Sequence, residues 1–128
     1  HSTPLEIARA ALEAVVFQLS QVYDQLALVL DRQAAPPRLI ASGGALLNSA
    51  LLRQILADTL NCPLELAASN EASARGVALL ALEALGILPD LAQLSPVTST
   101  IVQPDPTRHA IYQQAHARQQ VLYGLLLP

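Results

Sequence analysis

The sequence predicts an α/β fold, rich in helix and organised around a short, mostly parallel sheet. Two short apolar runs, 38–42 and 63–67, each lie ahead of a helical pattern, the strand-then-helix order of parallel sheets. Before them, apolar residues from Leu5 to Leu30 recur at spacings of three and four, the signature of one long helix. With 52% of its 128 residues hydrophobic, the chain can bury a core, and its length limits it to one domain at most.

The long helix opens on Thr3, Pro4 and Glu6, a capping box with Pro at the first helical position. It runs for about 27 residues, or about 40 Å at 1.5 Å per residue. Its apolar face is wide, so it is expected to be largely buried. Ala34, Ala35, Pro36 and Pro37 break it, because proline removes a donor and forces its predecessor extended. The first strand, 38–42, ends at the turn Gly43-Gly44. Leu47, Leu51, Leu52, Ile55, Leu56 and Leu60 then mark a second helix, ending near Asn61.

The second strand, 63–67, starts on a proline, where a missing donor is tolerated. Asn70 is placed to cap a third helix that stops at Gly86, and its small residues on one face imply close packing. A connector, 89–96, leads to an extended segment, 97–102. Asp105 and Pro106 open a last helix with Ile111, Ala115, Leu122 and Leu125 on one face, and with Tyr112 and Tyr123 packing it against the body. A strand-helix-strand unit crosses over right-handed, which makes the first two strands a parallel pair. So small a parallel sheet implies further strands upstream. The chain also lacks methionine and begins at His1 on a helix-start signal, so it is expected to be a piece of a longer polypeptide.

Charge excludes some partners. Seven basic residues, all arginine, stand against ten acidic ones, and no window gathers them into a stripe. Nucleic acid is therefore not expected as a partner. No apolar run reaches the roughly 18 residues of a membrane span. Cys62 is a lone cysteine and His1, His109 and His116 are scattered, so neither a disulfide nor a zinc spacing is present. A cytoplasmic setting follows.

The chemistry concentrates at Gly43-Gly44. The pair lies at the carboxyl end of a strand expected to be parallel, where open α/β sheets place ligands. Glycine lets a ligand approach the main chain, and Asn48, near the start of the following helix, can donate and accept hydrogen bonds. A nucleotide suits such a place. A tight turn with Asn48 as a cap explains the same residues equally well. A dinucleotide fingerprint is weaker, because the third glycine of GxGxxG is missing, although Glu65 lies where an acidic ribose partner would be.

None of Asp24, Asp31, Asp58, Asp90 or Asp105 has the context of a catalytic base, and Asp105 reads as a cap. His109 and His116, seven apart, read as surface residues, and Cys62 as a small buried one.

The run SGGALLNSALLRQILADTLNCPLELAASNEASARGVALLALEALG resembles the C-terminal domain of the FGGY family of carbohydrate kinases. LEIARAALEAVVFQL resembles the long helix before the family's glycine turn, and PDPTRHAIYQQAHARQQVLY its closing helix. The likeness covers nearly the whole chain, in the family's order. It implies an actin-like, ribonuclease H-like fold with ATP held between two domains. Residues 1–128 would be the C-terminal fragment of the ATP-binding domain, with the rest of that domain and the N-terminal sugar-binding domain lying upstream.

The resemblance implies that Gly44 and Asn48 contact the nucleotide while Gly43 supports the turn. It places residues 71–76 at the start of a helix near the adenine side of the cleft. Arg75 departs from the apolar residue usual there, and Leu52 stands where tryptophan is common. The catalytic Asp, the phosphate loop and the Mg²⁺ site would lie upstream, so no catalytic or metal-binding residue is assigned within this chain, and the fragment alone is expected to be inactive. The implied partners are MgATP and a sugar or sugar acid. The wording ASGGALLNS favours gluconate, with xylulose or another pentulose next, and a homodimer is allowed. The alternative is a non-catalytic helical interaction module with a purely structural glycine turn.

Overall fold

The computed structural model describes residues 2–29, 38–69 and 71–126. Five helices and three strands follow one another along the described chain: α1 Pro4–Val29, β1 Leu39–Ala41, α2 Gly44–Asn48, α3 Ala50–Leu60, β2 Leu64–Ala67, α4 Ala72–Ala84, β3 Thr98–Val102 and α5 Pro106–Leu126. A 3-10 turn, Leu91–Gln93, lies in the connector before β3. The strands form one sheet in the order β1-β2-β3. β1 and β2 are parallel, as the strand-helix-strand order requires, with Ile40 opposite Glu65. β3 returns antiparallel to β2, with Leu64 opposite Val102, so the sheet is mixed.

The core lies on one face of this sheet. Ala41, Leu64 and Leu66 point into it from the strands; Val16 and Phe17 from α1, Leu52, Ile55 and Leu56 from α3, and Tyr112 from α5 close it. Strand alternation explains the choice, since residues two apart share a face. Ile40 and Ile101 point the other way and stay exposed.

Local chemistry starts and stops the helices largely as expected. Thr3 N donates to Glu6 Oε2 at 2.7 Å and Glu6 N donates to Thr3 Oγ1 at 3.3 Å, which is the capping box. Asn61 ends α3 in the left-handed region at φ 50°, and Gly86, at φ 70°, ends α4. Asp105 Oδ1 accepts from Thr107 N at 2.9 Å and caps α5. The proline break at 34–37 and the Asn70 cap lie outside the described residues; Glu71 occupies the position before α4 and makes no side-chain cap.

Four expectations are corrected. The α1 helix is not largely buried: only Val16, Phe17, Ser20 and Ala27 are, while Leu5 and Leu28 are 80% and 85% exposed. The helix, about 39 Å long, packs on α3, which is about 16 Å long, so only part of it finds a partner. The second helix is two, because Ser49 is extended at φ −111° and its side chain accepts from Leu52 N at 3.2 Å, which caps α3 and ends α2.

The small-residue face of α4 is not packed, and a Cβ at Gly76 would meet no atom within 4 Å. On α5 the inward residue is Tyr112, flanked by half-buried Ala115 and His116, whereas Ile111, Leu122, Tyr123 and Leu125 are exposed. The first half of α5 lies on α3 and the second half runs past the body.

Candidate functional site

The glycine turn sits between the carboxyl end of β1 and the first residue of α2. Gly43 has φ 90° and ψ 150°, a conformation that L side chains rarely adopt. No atom lies within 4 Å of a Cβ built there, and at Gly44 the one neighbour is Asn48 Nδ2 at 3.6 Å. The turn is thus an open stretch of main chain with the Asn48 amide folded back beside it. Gly43, Gly44 and Asn48 are all exposed and come together as expected. Asn48 closes the five-residue α2 rather than opening a long helix, so little helix dipole backs the turn.

Arg53, which sequence reasoning missed, holds this arrangement in place. Its Nη1 donates to the carbonyls of Leu47 at 2.6 Å and Leu46 at 3.2 Å, tying the end of α2 to α3. A lone arginine within an apolar helix pattern carries no local signal for such a contact.

Beside the turn, at the carboxyl ends of β1 and β2, lies a hollow of about 590 Å³. Ile40, Ser42 and Ser69 line it from β1 and the ends of the strands, Ala72, Arg75 and Gly76 from α4, and Leu91, Leu94 and Ser95 from the connector. Ser42 adjoins Gly43, so hollow and turn are neighbours.

The remaining candidates have structural roles. Glu65 is gripped by Arg38, Nε to Oε1 at 2.7 Å and Nη2 to Oε2 at 2.6 Å. The Arg38 hydrogen bonds hold its carboxyl below the usual carboxylate range, and the same pair raises the Arg38 guanidinium. An occupied Glu65 removes the acidic partner that a dinucleotide reading needs. Asp58 is fully buried; its Oδ1 accepts from Gln54 Nε2 at 2.7 Å and from Asp105 N at 2.8 Å, and Arg108 Nη1 lies 3.6 Å from Oδ2. It anchors α5 to α3.

His109 and His116 are half-buried rather than surface residues. His109 Nδ1 bonds to Asp58 O at 2.9 Å, and His116 stacks on Phe17 with ring centroids 5.1 Å apart. Cys62 is half-buried, 3.6 Å from Tyr23 Oη. Asp90 caps the 3-10 turn through Ala92 N at 2.8 Å, Asp24 is exposed, and Asp31 lies outside the described residues. Among the described residues no group of three or more His, Cys, Asp or Glu side chains could hold a metal ion.

A parallel strand pair backed by helices, with an open glycine turn at its carboxyl end, defines an α/β domain, and its solved neighbours are kinases with the actin-like ATPase fold. Residues 1–85 match the C-terminal domain of the FGGY family of carbohydrate kinases, and the chain belongs to that family. An apulose kinase of Pectobacterium atrosepticum is 39% identical over 118 residues, 88% of this chain and 23% of that protein.

The crystal structure of xylulose kinase from Rhodospirillum rubrum superposes with a TM-score of 0.73 at 31% identity, over 98% of this chain and 25% of that one. Gluconate kinase from Lactobacillus acidophilus gives a TM-score of 0.76 at 26% identity, over 98% and 26%. The chain therefore spans about a quarter of the length of these relatives.

Proposed function

We propose that residues 1–128 form the C-terminal part of the ATP-binding domain of a carbohydrate kinase, which transfers the γ-phosphate of ATP to a hydroxyl of a sugar or sugar acid. The observation that carries this reading is the open turn at Gly43, with φ 90° and no atom within 4 Å of its missing side chain, next to the Asn48 amide. Gly43 shapes the turn, Gly44 presents main chain to the nucleotide, and Asn48 supplies an amide that both donates and accepts. Arg53 keeps the turn rigid, so little ordering is needed when ATP binds.

ATP, with Mg²⁺ on its phosphates, supplies the transferable phosphoryl group. Phosphoryl transfer demands positioning and charge stabilisation, and this chain contributes one wall of the positioning. On this reading the Mg²⁺ ligands and the general base are assigned to parts of the protein outside this chain, and the chain alone is expected to be inactive. Gluconate is the preferred acceptor on the wording of the ASGGALLNS turn, with xylulose or another pentulose next. The relatives include both a gluconate kinase and a xylulose kinase. A cytoplasmic setting and a homodimer are both compatible with the reading. Among the described residues no helix is long and apolar enough to cross a membrane.

Replacement of Gly44 tests the site. A Cβ there would stand 3.6 Å from Asn48 Nδ2, an ordinary contact, so Gly44→Ala is tolerated, whereas the branches of Gly44→Val project into the nucleotide's place. In the intact protein Gly44→Val raises the apparent KM for ATP by about tenfold, near 1.4 kcal/mol, with little change in KM for the sugar. An unchanged ATP KM would return the turn to a structural role and favour the interaction-module reading, which the exposed apolar residues of α1 also suit.

A further inference from the structure

Four of the described arginines are engaged within the fold: Arg9 with Glu13, Arg38 with Glu65, Arg53 with main-chain carbonyls and Arg108 with Asp58 and Asp105. Arg118 is exposed on the half of α5 that runs past the body. Arg75 differs from all of these. It stands in the wall of the hollow at the carboxyl ends of β1 and β2, and its side chain makes no hydrogen bond or ion pair among the described residues.

Its position is not explained by the stability of its own helix. Arg75 is the fourth residue of α4, in the first turn, where the free N–H groups carry partial positive charge and a cation is unfavourable. Its neighbours in the hollow include Ile40, Leu79, Leu91 and Leu94, which offer the guanidinium no acceptor. Arg75 is exposed and its guanidinium is hydrated, so it is free to pair with an anion that enters the hollow. The planar fork of arginine suits two oxygens of a carboxylate or a phosphate. The hydroxyls of Ser42, Ser69 and Ser95 line the same hollow and add neutral donors. The volume of about 590 Å³ falls within the range of small-molecule sites.

We infer that Arg75 is a binding residue that fixes an anionic oxygen of a small ligand in this hollow, assisted by Ser42, Ser69 and Ser95. The inference rests on the kinase reading, because Ser42 joins the hollow to the glycine turn. The anion is then either a phosphate of the nucleotide or the carboxylate of a sugar-acid acceptor, one chemistry from two sources.

The test uses the intact protein with Arg75→Leu and Arg75→Lys, both good helix formers at an exposed position. Inorganic pyrophosphate and gluconate are titrated calorimetrically into each variant without turnover, and KM values for ATP and gluconate are measured in parallel. The expected result is a loss of tenfold or more in affinity for one probe in Arg75→Leu, a matching rise in that substrate's KM, and partial recovery in Arg75→Lys. Loss in the pyrophosphate arm assigns the anion to the nucleotide, and loss in the gluconate arm assigns it to the acceptor. Wild-type affinity of Arg75→Leu for both probes, or no binding of either by the wild type, overturns the inference.

The kinase reading fails separately. If the intact wild type phosphorylates no sugar but Arg75→Leu still loses pyrophosphate binding, the anion site stands and only the kinase assignment falls.

Discussion

Gly43 holds its φ of 90° between a strand and a helix, and every other residue pays for that conformation in strain. Gly43→Ala therefore lowers stability by about 1–3 kcal/mol, read from the urea midpoint. Gly44→Ala, without a positive φ and with an ordinary 3.6 Å contact, costs less. Glu65 provides a pH-dependent contribution of known sign. Its carboxyl is held low in the fold by the Arg38 hydrogen bonds, so the stabilisation is fully present above the ordinary carboxylate range. It is lost as pH falls through the depressed folded value. Denaturant melts of wild type and Glu65→Gln should therefore differ at neutral pH and converge as pH drops below about 4.3. A constant difference down to pH 2 would separate the pair from stability.

Among the elements, α5 depends most on a single side chain. Asp58 accepts from Asp105 N at the start of α5, its main-chain carbonyl accepts from His109, and Arg108 approaches from the same helix. Asp58→Ala leaves the part-buried Asp105 N–H without its acceptor and releases Arg108, a loss of about 1–3 kcal/mol. Amide exchange in the first turns of α5 should accelerate more than exchange in α1. Equal acceleration in both helices would mean general destabilisation instead of a lost anchor. The break at Ser49 shows why boundaries were harder to read than elements. The apolar spacing from Leu47 to Leu60 is continuous, and only the Ser49 hydroxyl, by accepting from Leu52 N, divides the pattern into two helices. Serine in an apolar run has that competing option wherever it occurs.

The molecule as a whole buries one face of its sheet and leaves much apolar surface outside. Leu19, Val22 and Leu26 on α1, Ile40 and Ile101 on the second sheet face, and Val77 and Leu80 on α4 are all exposed. Apolar surface on this scale marks a place where something else packs. The 128-residue chain expressed alone should bind a hydrophobic dye such as ANS and self-associate with concentration, and both effects should diminish in the intact protein. A dye-free monomer would count against residues 1–128 being part of a larger domain.

What the sequence determined by itself was local: the Thr3–Glu6 capping box, the two strands before their helices, the stops at Asn61 and Gly86, and the glycine turn with Asn48 beside it. Each depends on residues a few positions apart, whose caps, turns and periodicities act over one or two turns of chain. Tertiary structure alone decided which half of α5 is buried, that Asp58 and His109 lock together, that Arg38 occupies Glu65, and that Arg75 faces a hollow without a partner. Those outcomes join residues distant in sequence through the packing of α1 and α5 on α3 and the pairing of β1 with β2. Side-chain periodicity states how much apolar surface a helix carries, but only the width of the layer beneath it sets how much is covered.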